Sequence, residues 1–307
     1  MNALALLTFS AINLGTAGYT LAQPPEGTVT KDPATTGNTE VAAGGTFAAA
    51  AVPDDKKADD ATELNASLGG FLSTGNAEAA SATAVVNFRL RRGAHQFRTD
   101  AAGNYGRASV PTDLDDSPPA EVTVGNVQGM VRYDWFFAKR WSMFLQTTAR
   151  HDPFQDLDLR ANVDPGFSFY ALTDPKQRLW FEAGYDFQYD LRTQEIVDRT
   201  TTLDETDGDM MDTLPDVDRV FINHAARLFG GYANNLNEYV TFDTGIEYLQ
   251  SVIDAPVFRI NWATALTANL NKRISLATTF TLRYENKPVA PKQLDTITSV
   301  LLGIRFI

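Results

Sequence analysis

The sequence predicts a transmembrane antiparallel β-barrel of about twelve strands, and three observations carry that prediction. From Ala61 onward apolar residues recur at every second position in run after run, the period of a strand with one apolar face. The runs are long: residues 178–191 alternate throughout, against an ordinary strand length of ~5–6 residues and the ~9–11 that a tilted strand needs to cross a bilayer. No lysine falls inside a run; Lys139, Lys176, Lys272, Lys287 and Lys292 all sit in predicted turns or loops. The wet face of a soluble sheet would use lysine freely. The alternate faces here use Arg, Asp, Glu, Asn, Ser and Gly instead, which suits a crowded lumen.

Residues 1–22 read as a secretory signal, with an apolar stretch from Ala3 to about Leu14 and small residues around Ala22, although no Lys or Arg precedes the apolar part. Residues 23–60 are rich in Pro, Gly, Thr and Ala, lack a sustained period and predict a disordered periplasmic tail. The barrel is expected over 61–307.

Residues 64–72 and 80–90 form the first two alternating runs, joined by a turn at Ser73-Thr74-Gly75-Asn76. A tight turn at Arg92-Gly93-Ala94 leads to 97–105, and a polar loop to about Ala120 leads to 127–135. The chain reverses at Lys139 into 141–149, breaks at Asp152-Pro153, and resumes over 159–171. Asp174-Pro175 turns into 178–191, where Leu179, Phe181, Ala183, Tyr185, Phe187, Tyr189 and Leu191 share one face. A long acidic loop over 192–219 precedes runs at 220–232, 240–248, 258–270, 274–284 and 294–306. Turns at Arg92, Lys139, Pro175, Asn235 and Lys272 are short, and the connections around Pro118 and Asp207 are long, with Ser73 the one short outer exception. An even strand count with this alternation matches bacterial outer-membrane barrels, with short periplasmic turns, longer outer loops and both termini in the periplasm.

Aromatic residues gather near the ends of the runs. Trp135 and Trp141 flank one short turn, while Tyr105, Tyr189, Tyr248 and Tyr284 lie toward the other rim, as expected for side chains at a bilayer interface. Phe306 is placed by parity on the lipid face of the last strand, where the barrel-assembly machinery is expected to recognise it. The other expected partners are outer-membrane lipid and lipopolysaccharide.

Parity sends Arg89, Arg98, Arg132, Arg160, Arg227, Arg259 and Arg283 inward, together with Asp100, Asp134, Asp164, Glu182, Asp186, Asp243 and Glu285. Counting outward from the turn at Asn271-Lys272-Arg273 sets Arg259 opposite Glu285, within reach of a salt bridge. Such a lumen is either a stiffened, structural interior or a narrow channel for small solutes. The mixed signs indicate no ion preference.

Other chemistries fare worse. A net charge of −12 argues against nucleic-acid binding, and the absence of cysteine removes disulfides and thiolate metal sites. Three histidines supply little material for a metal site or a catalytic base, and neither a metal, a cofactor nor a catalytic residue is expected. The sharpest alternative is an outer-membrane lipid-modifying enzyme, a phospholipase or lipid A deacylase, which needs a base beside its nucleophile. Only His224 falls on an outward face within a run; Ile222 and Ala226 beside it bear no hydroxyl, and the following run offers only Thr244. His95 and His151 sit at turn edges and read as solvated. The run Asp204-Glu205-Thr206-Asp207-Gly208-Asp209 lacks the spacing of an EF-hand and reads as a solvated acidic loop.

Several short motifs, Leu72-Ser73-Thr74-Gly75-Asn76, Arg132-Tyr133-Asp134, and Gly166 followed by Glu182-Ala183-Gly184-Tyr185, resemble a bacterial family known as salt-induced outer membrane proteins. The resemblance covers roughly residues 63–307. It implies the barrel fold, the outer membrane and an envelope or stress-related role. It carries no activity to any residue, and none to the acidic stretch 204–212.

Overall fold

The structure, a computed structural model, describes residues 61–73, 78–109, 121–174, 176–198, 217–271, 273–287 and 293–306. The expected signal over 1–22, the tail over 23–60 and residues 199–216 of the acidic loop lie outside the described residues.

Twelve strands follow one another: β1 (Ala61–Ser73), β2 (Glu78–Arg92), β3 (His95–Ser109), β4 (Glu121–Ala138), β5 (Trp141–Asp152), β6 (Leu157–Thr173), β7 (Gln177–Arg192), β8 (Val220–Asn235), β9 (Val240–Ser251), β10 (Phe258–Asn269), β11 (Ile274–Glu285) and β12 (Leu294–Arg305). Each pairs antiparallel with its neighbours in sequence, and β1 pairs with β12 to close the barrel. Closure joins the first strand to the last, so no strand is left as a free edge of an open sheet.

Alternation settles which side chains meet lipid. Val131, Leu145, Phe167, Phe181, Leu228, Ile246, Trp262 and Val300 are exposed on the outer surface, spread over strands from β4 to β12. An apolar belt of this extent is not tolerated in water. Around a closed even-stranded barrel it is the lipid-facing surface of a bacterial outer-membrane protein, and that is where this protein resides.

Local chemistry fixes the register. Gly93 supplies the positive φ of 55° in the β2–β3 turn. In the hairpin between β10 and β11 the Leu270 N–H donates to the Ile274 carbonyl at 2.9 Å, and Arg259 stands opposite Glu285 as counted from the sequence. The β6–β7 ladder skips Pro165, which has no N–H to give, and resumes at Gly166 opposite Gly184. A Cβ on Gly184 would lie 2.6 Å from the Pro165 carbonyl oxygen, so this close approach requires glycine.

One rim carries only short turns, at 93–94, 139–140, 174–176, 236–239 and 270–273. The opposite rim carries the long connections 110–120 and 193–219, but short ones at 74–77 and 153–156 as well. Ser73 is therefore not the sole short connection there. At 153–156 the chain makes a 3-10 turn, with the Asp152 carboxylate accepting from the Phe154 N–H at 3.1 Å.

Candidate functional site

The lumen is where the charged side chains converge. Asp100, Asp134, Arg160, Asp164, Glu182, Asp186, Arg227, Asp243, Arg259 and Arg283 are buried on the inner wall, and Arg89, Arg98, Arg132 and Glu285 are half-buried on the same parity. Side chains on a strand alternate between lipid and lumen, so the inner positions must be polar wherever packing leaves room for water or for another charge.

The centre of the lumen is bridged. Arg132 on β4 holds Asp134 on its own strand at 2.8 Å and reaches Glu182 on β7 through two bonds of 2.8 and 3.1 Å. β4 and β7 are not sheet neighbours, so this contact spans the interior over β5 and β6. On the other side Arg227 of β8 donates to Glu182 at 2.8 Å and to Glu247 of β9 at 2.7 Å, and Asn261 of β10 closes on Glu247 at 3.0 Å. Phe144 of β5 lies beneath both cations, 4.1 Å from the Arg132 guanidinium and 5.5 Å from that of Arg227. Its ring has room because Gly166 faces it; a Cβ there would come within 2.5 Å of Phe144 Cζ. Glu182 thus joins two guanidinia, Arg132 through a two-bond fork and Arg227 through a single bond, and such charge-assisted bonds offset the desolvation of buried charges.

A second layer lies toward the short-turn rim and is aromatic. Phe136, Tyr170, Trp180 and Phe229 pack inside the barrel with Ala233 and Ala263. Phe136 and Tyr170 centroids are 5.9 Å apart, and those of Trp180 and Phe229 6.0 Å. The sequence reading filled the lumen with charged residues and missed this layer, along with Phe144 and Glu247. Parity would have found Glu247, which stands between the outward Ile246 and Tyr248. The aromatics were hidden because Trp135-Phe136-Phe137 is aromatic at inner and outer positions alike.

Toward the long-loop rim further pairs line the wall: Arg150 with Asp152 at 2.5 Å, Arg160 with Asp190 at 2.6 Å, and Asn162 with Asp186 at 2.9 Å. Arg259 departs from expectation. Its register with Glu285 is as counted, but its guanidinium donates to Gln188 of β7, and no ion pair joins it to Glu285 among the described residues.

On the outer surface Trp135, Trp141, Tyr105 and Tyr248 are exposed, and Tyr189 and Tyr284 are partly so. Phe306 is 60 % exposed just past β12. His224 does have a hydroxyl neighbour, on the strand before it rather than after. It stands opposite Phe187, which places Tyr185 on the diagonal, and its Nδ1 is hydrogen-bonded to Tyr185 Oη. His95 and His151 are exposed yet bonded, to Tyr133 Oη at 2.6 Å and to the Asp158 carbonyl at 2.7 Å. Among the described residues no cluster of His, Asp and Glu could hold a metal ion.

No curated protein sequence matches this chain. Among solved structures, an outer membrane channel from Pseudomonas putida F1 is 10% identical over 82% of this chain and 100% of that one, with a TM-score of 0.43. The NanC porin is 12% identical over 80% of this chain and 98% of that one, at 0.41, and the KdgM porin 9% over 80% and 98%, at 0.40. A family model described as "Protein of unknown function, DUF481" matches residues 66–306, a description that names no salt response. Because that match runs from β1 to the residue after β12, the chain belongs to the DUF481 family.

Proposed function

We propose that the protein is a narrow outer-membrane pore whose conductance is held low by the ion-paired layer across its lumen. The observation that carries this reading is the continuous bridge from Arg132 through Glu182 and Arg227 to Glu247. Eight strands give a barrel filled by side chains and sixteen to eighteen leave an aqueous channel, so in a barrel of twelve the size of the inner side chains decides what passes. Here two arginines and Phe144 occupy the middle and four aromatic rings the level beside it. Only small solutes fit past them. The short-turn rim and both chain ends face the periplasm in this reading, and the connections 110–120 and 193–219 face outward. A barrel this tightly braced also suits a structural role in the envelope, in contact with lipid and lipopolysaccharide. A lipid-modifying enzyme is disfavoured because, among the described residues, the hydroxyl bonded to the His224 imidazole is the phenol of Tyr185 and no serine joins the pair.

The test is planar-bilayer recording of refolded protein, with heat-shifted mobility on a denaturing gel as proof of the closed barrel. Small unitary conductance is expected. Steady, large conductance overturns the constriction, and silence from a heat-modifiable barrel leaves the structural role alone.

A further inference from the structure

Arg91 ends the inner face of β2 at the short-turn rim and is 2 % exposed, yet its Nε, Nη1 and Nη2 have no hydrogen-bond partner. Its guanidinium lies 4.2 Å over the Phe136 ring, which satisfies one face of the cation and leaves the N–H edge unmet. The acids on β1 and β4 that face this part of the lumen are committed elsewhere. Glu63 holds Arg89 at 2.5 Å, and Asp134 holds Arg132 at 2.8 Å. Gln96 stands directly opposite Arg91 in the β2–β3 ladder, and its Oε1 is likewise buried without a donor. A cation kept from water with no acceptor at its edge is costly, so an occupant that brings acceptors there is strongly favoured.

We propose that Arg91 and Gln96 form a binding site for an oxyanion, a phosphate or carboxylate group. Oxygens of the anion accept from the guanidinium fork, and the O–H of monohydrogen phosphate, or a hydroxyl beside a carboxylate, donates to Gln96 Oε1. The occupant is a free anion in the lumen.

The full chain, refolded in detergent and shown to be heat-modifiable, is titrated with sodium phosphate by isothermal calorimetry. This reads binding and not conduction, so its failure is separate from failure of the pore. Saturable binding is expected, weakened about 10- to 100-fold in Arg91→Met and less in Arg91→Lys, which keeps the charge but not the fork. Gln96→Leu, which leaves the cation in place, is the second variant and weakens binding several-fold. Absence of binding by the wild type, or binding indifferent to the Arg91 and Gln96 variants, overturns the site.

Discussion

Trp180 lies flat over Gly231, its partner across the β7–β8 ladder; a Cβ on that glycine would sit 2.2 Å from Trp180 Cζ2. The indole can lie along the inner wall only because its ladder partner on β8 has no side chain. Gly231→Ala is therefore expected to tilt the ring into the aromatic layer and to lower stability by ~1–3 kcal/mol, the usual cost of overpacking. Denaturant midpoints followed by tryptophan fluorescence would show it. A midpoint and spectrum like those of the wild type would mean that the aromatic layer is loose.

Glu182→Gln probes the central bridge. It leaves Arg132 and Arg227 sharing a neutral amide in place of a carboxylate. Removing one partner of a buried ion pair typically costs ~3–5 kcal/mol, whereas in a wide, water-filled lumen the same change costs ~0–1. The equilibrium unfolding difference distinguishes the two, and a loss under ~1 kcal/mol would argue for an open, wet interior.

Arg259 separates register from contact. Because its guanidinium reaches Gln188 and not Glu285, Arg259→Ala should cost ~1–3 kcal/mol while Glu285→Gln stays within ~0.5. In a double-mutant cycle Arg259 and Gln188 should couple, and Arg259 and Glu285 should add to within ~0.5 kcal/mol. Strong coupling to Glu285 would restore the salt bridge expected from the hairpin count.

Phe306 stands on the outer surface, with its N–H donating to the Leu64 carbonyl at 2.9 Å. Phe306→Ala retains that backbone bond and removes only the ring. If the ring marks the last strand for assembly, the membrane-inserted, heat-modifiable fraction in cells should fall while refolding in detergent is unchanged. Equal loss in both settings would make the ring a stability element and nothing more.

The strands were legible because a period of two, repeated over long runs, leaves few alternatives, and the hairpin at 270–273 is short enough for register to be counted out to Arg259. The interior was less legible for a physical reason. Parity states which wall a residue faces but not how far its side chain reaches. Arg132 crosses to Glu182 over two intervening strands, and no count along one hairpin predicts a contact through the lumen. His224 shows the limit in another form: its partner Tyr185 became visible only with the register of the preceding strand, which a long loop separates from it in sequence.

The pairing of β1 with β12 differs from every other ladder in how it must form. All the rest join strands that are consecutive along the chain, so each can grow as a local hairpin, whereas this one brings together residues from opposite ends of the domain. Its described pairs run only from Asn65–Arg305 to Leu68–Leu302, while β2 and β3 are paired from Glu78–Ser109 to Arg92–His95. Loop-closure entropy therefore favours zipping the cylinder strip by strip and clasping it last at its shortest described join. By the same reasoning unfolding is expected to begin by releasing that clasp, which would make the wall between the first and last strands the kinetic weak point.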